Sequence, residues 1–473
     1  MKKNILFLLI DSLRQDQCYG NKKTSITPNL DSLIQNGVFF SQTISPSSIT
    51  IPSLSSIFSG CYPFESTTLD HELFNMNPNI PSFIKDLHDS GYHTSALIPE
   101  AINHTNIPKI FSEVELFDSF ATLYDGVGDK ILSKIKNFND IPWFLYVHLE
   151  DLHGNAIFHL QEGPEEFEDT KYGKNQYARM LSAIDPWLGK IKDALKSQNT
   201  LLVITADHGS TSADFTESMH AFSLKNAQIR NVEPGLTFKS AHKLINILPE
   251  QLTPFRKKLA NAYTKTKNKK IENKLLPQLE EIESFDITPY QKRLLKKSVN
   301  YPRDCYDENF RPTLIFIGDN VPKNKIISKQ VSSLDIFPTI LNLVGIPAKN
   351  PNRGIDLTPL FNDEYFEERP LMLDGSSSEL ESQISNTIGI RTSKFKYFRD
   401  RFDSKKNVHI FDLQKDPLET NNLCEENKSI INEMEAELKK INNNEDFSFK
   451  KINELSKNEE EKAKDILKKL GYI

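Results

Sequence analysis

Short apolar runs recur along the chain, each about the length of one buried strand. They are Ile5–Ile10, His93–Ile98, Trp143–His148, Leu201–Thr205 and Thr313–Ile317. Strands that are buried on both faces of a parallel sheet show such nearly continuous apolar runs. Segments with apolar residues at helical spacing separate the runs, and the clearest are Pro28–Gly37 and Ile80–Gly91. This alternation predicts an α/β fold, with a central, mostly parallel sheet flanked by helices.

The stretch from about residue 211 to 301 breaks this alternation and is rich in lysine. Amphipathic pieces at Gln278–Glu283 and Gln291–Lys297 predict helices within it. We interpret the stretch as a helical, Lys-rich insertion. Two roles stay open for it: a solvated surface, or a lid that presents positive charge to an anionic substrate.

Near residue 365 the alternation of buried strands and helices ends and a different pattern begins. Short strand-like pieces follow a serine-rich loop, at Thr387–Arg391, Tyr397–Arg401 and Val408–Leu413. The segment from Lys428 to Leu470 is rich in Glu and Lys, with apolar residues at helical spacing, which predicts surface helix. The predicted organisation is a large α/β domain at 1–365, which carries the insertion, and a smaller C-terminal α+β subdomain at 366–473.

The composition limits the class of protein. The chain has 473 residues and a formal net charge of −6. This length allows a full-sized core, and we expect no nucleic-acid partner, because chains that coat nucleic acid are basic. The four cysteines lie far apart and form no CxxC pair, which argues against a zinc knuckle and against a dense disulfide framework.

The apolar run near the amino terminus is too short for export or for membrane insertion. Ile5–Ile10 is followed at once by Asp11, with Arg14 and Asp16 close behind. An export signal needs a longer apolar core and a small-residue cleavage site, and a membrane span needs about 20 apolar residues. We therefore expect neither a signal peptide nor a transmembrane segment, and a cytoplasmic protein.

Polar residues of the types that bind metal ions or take part in catalysis lie at the ends of two predicted strands. Asp11 ends the first apolar run, and Asp207, His208 and Gly209 come just after Leu201–Thr205. The carboxyl ends of parallel strands meet at one edge of a sheet, so these side chains can hold one divalent cation, such as Mg, Mn, Ca or Zn. Gly209 permits the sharp turn that this requires. Taken alone, Asp11 is better explained as a helix cap.

The hydroxyl-rich segment Ser45–Gly60 contains a second candidate. Pro52 sets a rigid turn after Thr50, and Ser53–Phe58 predicts the start of a helix. Free backbone N–H groups and the helix dipole can hold an anion beside the Thr50 hydroxyl. An ordinary loop in which Thr50 or Ser53 caps the helix explains the same pattern.

The order of motifs along the chain resembles the sulfatase family of the alkaline phosphatase superfamily. The matching segments are NILFLLIDSLRQDQCYG, TPNLDSLIQNGVFFSQ, Thr50-Ile51-Pro52-Ser53, FLYVHLEDLHG, ITADHG, CYDENFRPTLIFIG, VSSLDIFPTILNLVGIP, and IRTSKFKYF with HIFDLQKDPLETNNL. The family has its metal motifs, its nucleophile motif, a segment ending in Asp-Pro-His and its C-terminal subdomain at these places. The resemblance covers nearly the whole catalytic region and implies an alkaline-phosphatase/sulfatase-like fold.

The resemblance also implies a role for individual residues. Asp11, Asp207 and His208 would bind one divalent metal ion. Thr50 would be the catalytic nucleophile and also a ligand of that metal.

Three further residues match the family less directly. His148 and His153 fall where the family places catalytic histidines near the transferred group, although a packed strand residue and a loop residue are the plain alternatives. Arg303 stands loosely where relatives carry Lys or His, as a contact to the substrate.

The chain departs from the sulfatase pattern at three positions. Sulfatases carry a Cys or Ser that is oxidised to formylglycine, and Thr50 cannot give that aldehyde, so no formylglycine is expected. Leu54 replaces the usual Arg of the nucleophile motif, and Ser12 replaces the second Asp of many sulfatases. Relatives with Thr at the nucleophile position include metal-dependent phosphotransferases and phosphodiesterases. The departures therefore favour phosphorus over sulfur.

These inferences give one hypothesis and two alternatives. The first is a metal-dependent hydrolase or transferase that acts on phosphate esters through Thr50. A sulfuric ester hydrolase (sulfatase) is the first alternative, and a non-catalytic, anion-binding sulfatase-like protein is an alternative of another class. The expected partner is an anionic ester substrate, with a sugar, a lipid head group and a polysaccharide as candidates.

Overall fold

The apolar runs form the centre of an eight-stranded sheet in the computed structural model of the chain. The structure describes residues 2–71, 73–138, 141–153, 164–196, 198–230, 276–300, 304–349, 352–376, 386–442, 447–452 and 454–469. In chain order, the strands are β1 (Asn4–Ile10), β2 (Gly37–Phe40), β3 (Thr43–Ile44), β4 (Thr67–Asp70), β5 (Leu73–Met76), β6 (His93–Pro99), β7 (Glu113–Phe117), β8 (Trp143–Leu149), β9 (Thr200–Thr205), β10 (Leu314–Ile317), β11 (Lys325–Ile327), β12 (Val331–Ser332), β13 (Leu371–Gly375), β14 (Thr387–Arg391), β15 (Phe395–Asp400), β16 (His409–Asp412) and β17 (Lys450–Ile452).

Helices and short 3₁₀ turns connect these strands. The α-helices are Gln15–Cys18, Pro28–Gln35, Thr50–Ser59, Pro63–Ser66, Phe83–Asp89, Val127–Asn137, Gln176–Leu195, Glu217–Arg230, Pro289–Asn300, Ile336–Leu343, Thr358–Phe361, Lys428–Ile441 and Lys457–Lys469. Residues 276–284 are also helical. None of the described helices is both long and apolar enough to cross a membrane.

The strand order of the central sheet is β11-β2-β10-β9-β1-β8-β6-β7. Strand β10 runs antiparallel to both of its neighbours, and every other pairing in the sheet is parallel. The predicted α/β fold with a mostly parallel sheet is therefore confirmed. The apolar run that predicts β10 does not reveal its direction, because a strand covered on both faces is apolar whichever way it runs.

Helices cover both faces of this sheet. Successive side chains of a strand point to opposite faces, and in the central strands the side chains on both faces are apolar. Of two successive residues in β1, Phe7 enters one apolar cluster and Leu8 enters the other. The helices on the Phe7 side are Thr50–Ser59, Phe83–Asp89 and Ile336–Leu343. The helices on the Leu8 side are Pro28–Gln35, Val127–Asn137 and Gln176–Leu195.

A second, antiparallel sheet follows the central one in the chain, with the order β13-β14-β15-β16. It contains the three short strands predicted near the C-terminal end, and the helix Lys428–Ile441 packs against it. The predicted C-terminal sheet subdomain is therefore confirmed. The expectation of surface helix from Lys428 to Leu470 is incomplete, because β17 interrupts it and pairs in parallel with β4.

The chain divides into two compact units, one made of residues 1–214, 303–380 and 385–473 and the other of residues 215–302 and 381–384. In the second unit the predicted helices are present, and Phe222 packs edge-on against Phe285 at 5.4 Å between ring centroids. The lysines at positions 257–274, which suggested a charged lid, lie outside the described residues. The boundaries 1–365 and 366–473 stay a prediction.

Candidate active site

Three adjacent strands bring the candidate residues to one edge of the central sheet. Strand β1 lies between β8 and β9, and Leu9 is in register with both His148 and Thr205. Asp11 and Asp207 follow the carboxyl ends of β1 and β9. The parallel arrangement therefore places two acidic residues and a histidine side by side, as the doubly wound topology predicts.

Asp11, Asp207 and His208 form a cluster that fits a divalent cation. One ligand atom from each lies within 4.8 Å of the others, and both carboxylates are fully buried. Asp207 Oδ1 accepts hydrogen bonds from the backbone N–H groups of Ser12 and His208, at 3.3 and 2.9 Å. Asp207 Oδ2 is buried and accepts no hydrogen bond from the described residues. A buried carboxylate oxygen without a donor requires a compensating charge, and a cation supplies it.

The tautomer of His208 directs a lone pair into this cluster. His208 Nδ1 donates its hydrogen to the carbonyl oxygen of Gly209 at 2.7 Å, so the neutral ring keeps a lone pair on Nε2. Nε2 lies 3.3 Å from Asp207 Oδ2. A lone pair that faces a carboxylate is repulsive unless a cation lies between them, which is the arrangement of a metal-ligating histidine held by its other nitrogen.

Thr50 lies against the same cluster. Its Oγ1 is 3.3 Å from His208 Nε2 and 3.4 Å from Asp11 Oδ2, and the residue is buried. Thr50 is the first residue of its helix, and Pro52 is tolerated in the first turn because the N–H groups there have no intrahelical partner.

The capping interpretation of this segment is wrong. Ile49 occupies the N-cap position, without a side-chain hydrogen bond to the helix. Ser53 Oγ donates instead to the carbonyl oxygen of Ser47 at 2.9 Å. The Thr50 hydroxyl is therefore directed at the acidic cluster and does not serve as a helix cap.

His148 is a buried strand residue that also faces Asp11. Its Nε2 lies 3.5 Å from Asp11 Oδ2, and its Nδ1 lies 2.8 Å from the hydroxyl oxygen of Tyr146. Burial raises the pKa of Tyr146 far above its usual value, so the phenol keeps its proton and can donate it to Nδ1. The His148 ring then carries its hydrogen on Nε2, directed towards Asp11.

His153 lies close enough to influence Asp11 electrostatically. Its backbone N–H donates to the carbonyl oxygen of Glu150 at 2.9 Å. Burial lowers the pKa of His153, and the charge of Asp11 opposes this effect. Burial alone would raise the pKa of Asp11, but the neighbouring imidazoles of His153, His148 and His208 together lower it below its usual value. Asp11 is therefore an ionised carboxylate at neutral pH.

Two buried residues near the site were not predicted from the sequence. Tyr146 contacts His148 as described, and Glu150 is 2% exposed, with an Oε2 atom that accepts no hydrogen bond from the described residues. Burial, and then the charges of Asp11 and Asp207, hold the pKa of Glu150 well above its usual value. Tyr146, His148 and Glu150 are spaced two residues apart, but every residue of β8 is buried, so this spacing does not distinguish them from core residues.

Arg303, the predicted substrate contact, lies outside the described residues. The structure therefore brings together Asp11, Thr50, Asp207 and His208, with the two histidines nearby.

Comparisons with known proteins define the class of this fold and site. A family model described as Sulfatase matches residues 3–346, and one described as N-sulphoglucosamine sulphohydrolase, C-terminal, matches residues 301–444. The chain belongs to the sulfatase family of ester hydrolases, within the alkaline phosphatase superfamily.

Curated relatives are distant in sequence. Arylsulfatase K of Canis lupus familiaris is 26% identical over 30% of this chain and 28% of its own length. An ulvan-active sulfatase of Formosa agariphila is 26% identical over 46% of each chain. The aligned segments therefore span less than half of these two relatives.

Solved structures share the fold over most of the chain. A protein in complex with its substrate D-glucosamine-2-N,6-O-disulfate aligns with a TM-score of 0.62 and 16% identity, covering 94% of this chain and 99% of that one. The phosphonate monoester hydrolase of Agrobacterium radiobacter aligns with a TM-score of 0.60 and 15% identity, covering 94% and 96%. At this identity the similarity shows the fold alone.

Proposed function

We propose that the protein is a metal-dependent hydrolase or transferase that acts on an anionic phosphate ester through Thr50. The observation that carries this proposal is the position of Thr50 Oγ1, within 3.4 Å of both Asp11 and His208. A threonine hydroxyl is a weak nucleophile at neutral pH, and it becomes effective when a cation or a base stabilises its deprotonated form.

Asp11, Asp207, His208 and Thr50 are the residues that would hold the metal. The carboxylate oxygens of Asp11 and Asp207 and the Nε2 lone pair of His208 form a donor set that suits Mg, Mn, Ca or Zn. When bound, the divalent ion supplies positive charge that lowers the pKa of the Thr50 hydroxyl and offsets charge on the ester.

The first half of the proposed reaction transfers the phosphoryl group to the protein. The Thr50 oxygen, after its proton has passed to water, forms a bond to phosphorus while the bond from phosphorus to the leaving oxygen breaks. His148 donates a hydrogen bond from Nε2 to a nonbridging oxygen. His153, whose pKa is lowered by burial, takes a proton from water when the anionic ester binds beside it and gives that proton to the leaving oxygen. Phosphoryl transfer depends chiefly on positioning and charge stabilisation, which these residues provide.

The second half returns the protein to its starting state. Neutral His153 takes a proton from water or from an acceptor alcohol, whose oxygen attacks the phospho-threonine. The bond from phosphorus to the Thr50 oxygen then breaks, phosphate or a new phosphate ester leaves, and the Thr50 oxygen takes back from water the proton that it lost in the first half. Threonine needs no prior oxidation for this cycle, which is why we propose a phosphorus ester and no formylglycine.

A sulfate ester is the second candidate substrate, and the sulfatase relatives favour it. The sugar disulfate named for one structural neighbour suggests that an anionic sugar ester is the substrate class in either case. The sulfuric ester hypothesis requires Thr50 itself to attack sulfur, or a water molecule to do so.

Parallel turnover assays test the proposal. The purified protein is offered an aryl sulfate, a phosphate monoester and a phosphodiester, each with Mg²⁺, Mn²⁺, Ca²⁺ and Zn²⁺. We expect turnover of a phosphate ester to fall by at least about 10³-fold in Thr50→Val, which keeps the shape and removes the hydroxyl. Thr50→Ser is the matched control, because it keeps a hydroxyl and should retain measurable activity.

Two results would contradict the proposal. Preferential turnover of the aryl sulfate by the unmodified chain would replace phosphorus with sulfur. Full activity of Thr50→Val on any of the esters would remove Thr50 as the nucleophile. Metal binding without any turnover would favour the non-catalytic, anion-binding alternative.

A further inference from the structure

One short segment of the chain, Asp307–Thr313, contacts every loop that carries a proposed metal ligand or nucleophile. We call this segment the brace. On one side it holds the turn after Asp207 and His208: the carbonyl oxygen of Asn309 accepts the Gly209 N–H at 3.0 Å, and Asn309 Oδ1 accepts the hydroxyl of Thr211 at 3.0 Å.

The brace also contacts the other two loops of the site. The Thr313 N–H donates to the carbonyl oxygen of Leu13 at 2.9 Å, in the loop that follows Asp11. The carbonyl oxygen of Phe310 accepts the Ser45 N–H at 2.9 Å, at the start of the segment that leads to Thr50. A shift of the brace would therefore be transmitted to all three loops.

The backbone of the brace lies very close to the backbone of the metal-binding turn. A Cβ atom placed on Gly209 would lie 2.2 Å from the carbonyl oxygen of Glu308 in the brace. Only glycine allows this close approach of the two backbones, so a displacement of the brace towards the turn would press directly on Gly209.

Buried charges from the C-terminal sheet anchor the brace. Lys396 in β15 is fully buried and pairs with Asp307 and with Glu419, the latter at 2.8 Å. Arg391 in β14 binds Asp307 with two parallel hydrogen bonds of 3.0 and 2.9 Å. Glu419 Oε2 accepts the backbone N–H of Asp307 at 2.7 Å.

Such a network is a costly way to stabilise a fold. Burying an ammonium group, a guanidinium group and two carboxylates carries a desolvation penalty that an apolar cluster of similar volume would avoid. What the charged groups add is a fixed place for their partner: the two hydrogen bonds from Arg391 set the direction of the carboxylate, and the ammonium of Lys396 holds it by its charge. Here the fixed acceptor is Asp307, the first residue of the brace.

We propose that Lys396 is a positioning residue that holds Asp307, so that the brace keeps Asp207 and His208 at the spacing a divalent cation requires. The inference rests on the proposed metal site. Lys396 touches neither the metal ligands nor Thr50 in the contacts described above, and it acts through the brace.

Metal affinity, measured apart from activity, tests this role. Mn²⁺ is titrated into the full chain and free Mn²⁺ is followed by electron paramagnetic resonance, for the wild type, Lys396→Met and Arg399→Met. Arg399 is the matched control: it lies on the same strand and forms a buried ion pair with Glu435 at 2.8 Å, but it does not contact the brace. Thermal unfolding of each variant shows the general loss of stability.

We expect Lys396→Met to bind Mn²⁺ about threefold or more weakly, a smaller loss than the roughly tenfold or larger one caused by removing a direct hydrogen-bond partner of a metal ligand, because Lys396 acts through the brace. Arg399→Met should bind within about twofold of the wild type despite a comparable loss of stability. Unchanged affinity in Lys396→Met, or an equal loss in Arg399→Met, would overturn the inference. Mg²⁺, Ca²⁺ and Zn²⁺ are added to the wild type in the same titration as competitors and, separately, by calorimetry. A wild type that binds none of the four ions would instead overturn the metal site itself.

A second variant decides the question if Lys396→Met does not fold. Thr211→Val removes only the hydroxyl that binds Asn309 Oδ1, which is one of the two hydrogen bonds described above between the brace and the metal-binding turn. We expect Thr211→Val to weaken Mn²⁺ binding at least about threefold. Wild-type affinity in this variant would contradict the role of the brace.

Discussion

The surroundings of Thr50 distinguish it from an ordinary hydroxyl at a helix start. Its side chain is buried, it does not cap the helix, and its Oγ1 faces His208 Nε2 and Asp11 Oδ2. A hydroxyl that only stabilised the helix would be directed at the free N–H groups of the first turn. At the scale of single residues, the arrangement supports chemistry at Thr50.

Asp151, just beyond the end of β8, gives a pH-dependent prediction. Burial raises its pKa to about 7, although its Oδ1 accepts the Leu123 N–H at 3.1 Å. An unfolded Asp titrates near 3.9, so between about pH 4 and 7 the folded state binds more protons and loses stability as the pH rises. Asp151→Asn keeps an acceptor and removes this titration. It should stabilise the protein at pH 8 by up to about 4 kcal/mol, since one pKa unit corresponds to about 1.4 kcal/mol.

The measurement is urea unfolding at pH 8 and pH 4. The gain from Asp151→Asn should be present at pH 8 and almost absent at pH 4, where the folded state is protonated and the unfolded state is about half protonated. Asp193→Asn, at an exposed carboxylate, should show no stabilisation at either pH. An Asp151→Asn gain that is the same at both pH values would contradict the assigned pKa.

The candidate residues that follow a strand end could be predicted from the sequence. Residues whose role depends on a contact with another side chain in the folded protein could not. Asp11 and Asp207 follow apolar runs, and parallel strands bring such ends together. Tyr146 is part of an apolar run, so nothing in the sequence separates a core tyrosine from one that orients His148. The burial of Glu150 depends on the loops around it, which its position in the sequence does not reveal.

At the scale of elements, the strands with apolar runs were predictable and the polar strand β17 was not. Its residues Lys450–Ile452 show no apolar pattern, and the strand exists because it pairs with β4 and is preceded by Phe449. Phe449 packs edge-on against Phe74 at 5.1 Å between ring centroids, in a cluster that includes Ile49 and Ile51. These two isoleucines flank Thr50.

Phe449→Ala tests whether this terminal strand supports the Thr50 segment. Truncation of a buried Phe costs about 3–5 kcal/mol in a well-packed core, so we expect a clear fall in melting temperature. Loss of support for Ile49 and Ile51 should also lower kcat more than it changes KM. Lys450→Ala, at an exposed position on the same segment, is the control and should change neither quantity. Wild-type stability and kcat in Phe449→Ala would show that the strand does not support the site.

At the scale of the whole molecule, the fold is shared with proteins that retain only 15–16% identity, so it tolerates wide change in sequence. The central sheet and the C-terminal sheet were predictable because burial dictates their apolar patterns. Substrate choice was not predictable, because specificity in such folds depends on loops and insertions. The net charge of −6 is a sum over the whole chain, so it does not describe the local charge at a site whose substrate we expect to be anionic.

The central claim is that Thr50 forms a covalent bond with the transferred group. Its most direct test is a single turnover with a phosphate ester, stopped with acid, followed by mass measurement of the peptide that contains Thr50. The account predicts that this peptide gains the mass of one phosphoryl group in the wild type, and that Thr50→Val gains none and does not turn over. Turnover of the ester by Thr50→Val at the wild-type rate, with the Thr50 peptide of the wild type unmodified, would contradict it.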